Sequence, residues 1–222
     1  MNTPRKISIV VFLLLSSFLS ALEPTKARTG EIDQIWKALN ELKAHDFSSF
    51  EHCCHVASYA EIIANNMGLK PEDVQEIYLE GMVHDIGKLD IPTSILNKPG
   101  KLTPEEFGKI KTHPIISEKI LSKYPFLKNL IKAAKEHHER WDGKGYPRGI
   151  SGNQISIEGR IIAVADAFDV MTSKRPYGKP KSNEEAILEL IDKKGTQFDP
   201  AVVDSTVLAI KSHKIVIQPA CK

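Results

Sequence analysis

The chain has 222 residues, 41% of them hydrophobic and 26% charged, with a formal net charge of +2. These proportions are ordinary for a folded globular protein and exclude general disorder and a polytopic membrane protein. A charge so close to balance offers no footprint for a nucleic acid polymer, and the length suits one domain with a full core rather than two.

The N-terminus stands apart. Arg5 and Lys6 precede Ile7–Leu22, ISIVVFLLLSSFLSAL, an apolar run interrupted only by serines. A basic segment before a short apolar one is the pattern of a secretory signal, and the run is short for a bilayer span. Cleavage after Ala21 would leave Leu19 where a small residue is wanted, so an uncleaved anchor stands beside a cleaved signal, with a buried first helix as the third alternative. Residues 1–27 are assigned to a signal peptide or N-terminal anchor and 28–222 to the folded domain. Either leader sends that domain out of the cytoplasm. Cys53, Cys54 and Cys221 give an odd thiol count, and the first two read as small buried apolar residues.

Beyond Glu31 the periodicity is helical. Ile32, Ile35, Trp36, Leu39 and Leu42 make one amphipathic helix, and Val56, Ala60, Ile63 and Ala64 a second that ends near Gly68. Pro71-Glu72-Asp73 opens a third that runs to "HDIGK". Residues 89–102 read as an ordered loop. A helix starts at Thr103-Pro104, and Pro114 interrupts or restarts it. Helices follow near 126–138, 158–173, 183–194 and 200–211, and only "KIVIQ", 214–218, reads as strand. The fold class is all-α: a compact single-domain bundle of about eight helices.

Eight histidines occur, at 45, 52, 55, 84, 113, 137, 138 and 213. His84-Asp85 ends an apolar helix, where a buried carboxylate beside an imidazole needs compensation. Asp166 sits in the apolar stretch RIIAVADAFDV, as a metal ligand or as the partner of a buried arginine such as Arg160. With His52 they form a mixed imidazole and carboxylate set suited to iron, manganese, zinc or similar divalent ions. Lys88 lies four residues after His84, on the same face if the helix persists, and can place a cation near a phosphate; its alternative is an exposed helix-end lysine.

"HDIGK", a preceding helical His52, "KTHP" at 111–114, "HHERWDGKGYP" at 137–147, "RIIAVADAFDVMTSKRPY" at 160–177 and "FDP" at 198–200 occur in one order. Over roughly residues 48–205 the sequence resembles the HD-domain metal phosphohydrolases, specifically the HD-GYP subfamily. The resemblance implies an all-helical domain with a bi- or trinuclear metal centre that hydrolyses cyclic di-GMP to pGpG or GMP by attack of a metal-bridging hydroxide. It carries His52, His84, Asp85 and Asp166 over as ligands of one metal and His113, His137 and His138 as ligands of the rest, with Asp85 bridging. It makes Asp85 and Lys88 catalytic, gives Lys88, Tyr146 and Arg175 to the substrate, and leaves Glu139, Trp141 and Asp142 to hold the Tyr146-Pro147 lip. Two divalent ions are expected, iron or manganese foremost, with zinc, nickel, magnesium and cobalt compatible. The partner is a small cyclic dinucleotide, with membrane contact through the leader.

Three positions depart from the family pattern. Ser48 replaces a glutamate that serves a third metal in some members, His55 replaces an arginine and reads as a packing or surface residue, and Gly178 follows "RPY" where a basic residue is common. The leader conflicts with a cytoplasmic messenger as substrate. The same chemistry on another phosphoester outside the cytoplasm, and an inert cyclic-dinucleotide receptor, therefore stand as alternatives.

Overall fold

The computed structural model describes residues 26–124, 127–173, 179–212 and 214–215, with side chains from 36 onward. Residues 1–25 of the expected leader, Arg175 and the strand candidate beyond Ile215 lie outside these residues; Lys26 and Ala27 open a helix, and Lys214 and Ile215 are not strand.

The architecture is all-helical, as expected. Helix α1 (Lys26–His45) leads into α2 (Phe47–Asn66), which is capped by Asp46 accepting from the Ser49 amide at 3.0 Å. Helix α3 (Pro71–Val83) has Pro71 in its first turn and ends where the His84-Asp85 pair begins. A 3-10 turn (Ile86–Asp90) follows, so the α-helix does not persist to Lys88, and the expected i+4 relation to His84 is replaced by a tight turn. The stretch read as loop carries the single turn α4 (Thr93–Leu96). Helix α5 (Pro104–Ile110) has a complete capping box between Thr103 and Glu106, and α6 (His113–Leu121) restarts with Pro114 in its first turn, where a missing amide costs nothing. Helix α7 (Ile131–Glu136) is shorter than the expected 126–138; α8 (Ile157–Thr172), α9 (Asn183–Asp192) and α10 (Pro200–Lys211) fall as read.

Helix α2 lies between two apolar clusters. Val56, Tyr59, Ala60 and Ile63 face α8 and α10, with Tyr59 edge-on to Phe168 at 5.1 Å, while Cys53 and Ala57 face α1 and the end of α3. Cys53 is a buried free thiol, but Cys54 is disulfide-bonded, which corrects its reading as a packing residue. The approach of α3 to α2 is set by Gly81: a Cβ there would meet Ala57 Cα at 2.5 Å, so only glycine lets the backbones touch. That contact brings the His52 and His84 rings within 5.3 Å.

Glu80, one turn before His84, is fully buried and neither of its carboxylate oxygens makes a hydrogen bond. Burial, with the nearby charges of Glu158 and Glu76 adding to it, raises its pKa well above the ordinary value. A carboxyl with a raised folded pKa favours the fold below its unfolded value and loses that contribution as pH rises through the folded value. Glu80→Gln is therefore expected to stabilise the protein increasingly with pH, by about 1–3 kcal/mol at pH 8. Denaturant titrations at pH 5 and pH 8 check this, and a difference independent of pH would contradict it.

Candidate metal centre

Six of the expected residues converge on Asp85. Its Oδ2 lies 3.7 Å from His52 Nε2 and 3.4 Å from His84 Nε2, and its Oδ1 lies 3.1 Å from His113 Nε2 and 3.9 Å from His137 Nε2. Each carboxylate oxygen thus faces one pair of imidazoles. His52 Nε2 also sits 2.9 Å from Asp166 Oδ1, and His138 completes a tight group with His113 and His137. Asp166 is not the partner of Arg160, which pairs with Asp199 at 2.6 Å.

The other ring nitrogens fix the chemistry. His84 Nδ1 donates to Gly81 O at 2.7 Å, His113 Nδ1 to Ile110 O at 2.7 Å and His137 Nδ1 to Ala133 O at 3.1 Å. Carbonyl oxygens only accept, so these three Nδ1 atoms carry the protons and the Nε2 atoms turn lone pairs inward. His113 Nε2 and His137 Nε2 stand 3.2 Å apart, and the fully buried His84 Nε2 has no hydrogen bond. Lone pairs facing lone pairs and a carboxylate cannot satisfy one another. A divalent cation among them would satisfy all of these atoms at once, so the site fits divalent metal.

The electrostatics agree. Burial pushes His138 down to about 3, and burial together with His138 holds His137 well below its ordinary value, so both rings are neutral and free to coordinate. Burial disfavours a charged Asp85, but Lys88, His84 and His113 override it and keep the carboxyl well below the usual range. Burial also opposes a charged His84, and Asp85 outweighs it, holding that ring above its ordinary value. Such a proton is the one a metal displaces on binding.

Asp169 escaped the sequence reading. It is buried on α8, accepts from His52 Nδ1 at 2.6 Å and from His55 Nδ1 at 2.9 Å, and is braced by Ser173 Oγ at 2.7 Å. His55 is therefore neither loose packing nor surface, but shares its carboxylate with His52. The only signal in the sequence was the three-residue spacing from Asp166, which puts both acids on one side of α8. A carboxylate behind a ligating imidazole sets its orientation and basicity. Asp169→Ala is expected to weaken metal binding about 10- to 100-fold, measured by competition with a chelating dye; Asp169→Asn, which keeps an acceptor, should recover part of the loss.

Lys88 Nζ donates to Asp85 Oδ2 at 2.5 Å with 18% of its side chain exposed, so it is a cation at the centre rather than a solvated helix end. The Tyr146 ring stacks on His138 at 4.8 Å, and its amide donates to His138 O at 3.1 Å. Gly145 lets that loop fold back, because a Cβ would meet Arg140 N at 2.4 Å and Glu139 Cα at 2.5 Å. Glu139 accepts from the Arg148 amide at 2.6 Å, Asp142 pairs with Arg140 at 2.7 Å, and the Trp141 and Asp142 amides reach Gln197 and Thr196 carbonyls. Glu139, Trp141 and Asp142 hold the lip, as expected. Beyond it lies a cavity of about 540 Å³ whose walls include His137, His138, Asp166 and Tyr146.

A family model described as "HD domain" matches residues 37–202. The chain belongs to the HD-domain family, in its HD-GYP branch. This HD-GYP chain is 44% identical over 177 residues to the cyclic di-GMP phosphodiesterase of Thermotoga maritima, covering 79% of this chain and 48% of that protein. It is 37% identical over 190 residues to the cyclic di-GMP phosphodiesterase response regulator RpfG of Xanthomonas campestris, covering 84% and 50%. With the 3'3'-cGAMP-specific phosphodiesterase 2 of Vibrio cholerae it shares 37% over 174 residues, covering 77% and 33%. The chain thus spans half the length of these relatives or less. Among solved structures, the HDG"Y"P protein Bd1817 of Bdellovibrio bacteriovorus superposes with TM-score 0.60 at 21% identity, over 72% of this chain and 51% of that one. The HD domain of the L. monocytogenes phosphodiesterase PgpH, in complex with cyclic-di-AMP, gives 0.59 at 17% identity over 80% and 96%. These two likenesses speak to the fold.

Proposed function

We propose that this chain is a metal-dependent phosphoric diester hydrolase acting on cyclic di-GMP. The observation that carries the reading is the convergence of four imidazole Nε2 atoms on one buried carboxylate, a donor set suited to divalent cations. The relatives' names point to cyclic dinucleotides as the substrate class. In this reading His52, His84, Asp85 and Asp166 would hold one ion and His113, His137 and His138 a second, with Asp85 available to both groups. Iron or manganese is the choice for such mixed nitrogen and oxygen donors, and Ser48 in place of a glutamate supports two ions rather than three.

When bound, such ions neutralise phosphate oxygens and acidify water. The chain's own residues do the rest. Lys88 and Asp85 lie together at the centre, and in this reading the ammonium offsets charge on a non-bridging phosphate oxygen. Tyr146 roofs the cavity and excludes water from the reacting diester. Arg175, outside the described residues, is assigned to phosphate or guanine.

The leader and the disulfide-bonded Cys54 support a domain outside the cytoplasm, since disulfides persist in oxidising compartments, whereas a cyclic di-GMP substrate would require a cytoplasmic one. Hydrolysis of another phosphoester outside the cytoplasm is the second reading, favoured by the same two observations. The deciding experiment purifies the chain anaerobically, counts its metal and assays cyclic di-GMP under iron and under manganese. Two ions per chain with pGpG or GMP as product, abolished by His84→Ala with Asp85→Ala, supports the first reading. Two ions without turnover would overturn it in favour of the second.

A further inference from the structure

Helix α5 buries none of its residues, yet it is held firmly: by its capping box, and by Lys98 bonded to both Glu106 oxygens at 2.9 and 2.6 Å. On its outer face Phe107 is 51% exposed and contributes nothing to either apolar cluster. Phe107 and Lys111, four residues apart on one helical face, both line the 540 Å³ cavity that ends at His137, His138 and Asp166. Lys111 Nζ stands 4.6 Å from the Tyr146 ring centre and 5.8 Å from that of Phe107. Lys98, Lys135, Lys181 and Lys194 each pair with a carboxylate, whereas Lys111 has no such ion pair among the described residues. Lys111 also lies two residues before His113, so this wall is tied to the centre through one short stretch of backbone.

An exposed aromatic beside an unpaired cation, on a rigid scaffold and facing a cavity, matches the two parts of a nucleotide: a base that stacks and a phosphate that needs charge. We propose that Phe107 and Lys111, with Tyr146, form the subsite for the distal nucleotide of a cyclic purine dinucleotide, Phe107 stacking on its base and Lys111 meeting the phosphate that is not cleaved. This deepens the hydrolase reading and rests on it. The pair acts in selecting the substrate, remote from the bond that breaks.

The test compares cyclic di-GMP with bis(p-nitrophenyl) phosphate, a diester with no distal nucleotide, on the full metal-loaded chain. Phe107→Ala and Lys111→Gln are each expected to raise KM for cyclic di-GMP about ten-fold with kcat within about two-fold. The ratio of kcat/KM for the two substrates falls accordingly, and Phe107→Trp restores it. Because Phe107 is exposed and outside both cores, loss of folding does not obscure the result, and circular dichroism of the variants documents it. An unchanged KM, or equal losses on both substrates, overturns the subsite while leaving the hydrolase intact. A wild-type chain that cleaves the small diester but neither binds nor cleaves cyclic dinucleotides would refute the parent reading, and the subsite with it.

Discussion

Replacing Asp85 by alanine is expected to empty the centre of metal and to lower turnover by about 10³-fold or more. The argument is geometric. Asp85 is the one residue whose two oxygens face both histidine groups, Oδ2 toward His52 and His84 and Oδ1 toward His113 and His137. It is 2% exposed, so no water can take over its charge. Without it the His113 group keeps three imidazoles and no anion, and Lys88 loses the carboxylate that anchors it. Asp85→Asn should fail nearly as badly, because an amide preserves volume but not charge. Elemental analysis of the purified variants, beside a turnover assay, decides the point. A variant that retains two ions per chain would show that the histidines suffice.

Gly87→Ala is expected to do comparable harm from a position that offers no functional group. A Cβ on Gly87 would lie 2.1 Å from His113 O and 2.7 Å from Ser117 N, both main-chain atoms that cannot swing away. The Gly87 amide also donates to Ser117 Oγ at 2.9 Å, and that hydroxyl donates to His84 O at 3.0 Å. The methyl must therefore wedge the 3-10 turn from α6, at a cost of about 1–3 kcal/mol by analogy with overpacked cores. The functional loss should exceed the loss of stability, because the displaced element carries Asp85 on one side and His113 on the other. Activity measured far below the melting temperature separates the two effects. Normal activity in a variant that merely melts earlier would show that the wedge is absorbed elsewhere.

Much of this was legible in the sequence because its signals are local. Apolar spacing, first-turn prolines and acids, and the cap at Thr103 placed most helices, and the restart at Pro114 followed from one missing amide. The histidines and Asp85 and Asp166 were legible through motif order. What was missed depends on tertiary contact. Asp169 sits within an apolar helix and acquires its role only when α2 brings His52 and His55 to it from more than a hundred residues away. The relation of Lys88 to His84 was misjudged because the α-helix gives way to a 3-10 turn at the point where Asp85 must face inward. The GYP loop is pinned at Trp141 and Asp142 by the carbonyls of Gln197 and Thr196, which no spacing near residue 141 could foretell.

Three of the inward imidazoles are aimed by main-chain carbonyls within their own turns: Gly81 for His84, Ile110 for His113 and Ala133 for His137. Peptide oxygens are the same whatever residue bears them, so no substitution at those three supporting positions removes the acceptor. His52 alone takes its aim from a side chain, Asp169, and Asp169 in turn answers to His55. A change of side chain at 169 or 55 therefore acts on the donor strength of His52, whereas a change at Gly81, Ile110 or Ala133 leaves a peptide acceptor in place. Because His55 shares the Asp169 carboxylate with His52, the donor strength of one metal-facing imidazole is set from a position that itself faces no metal.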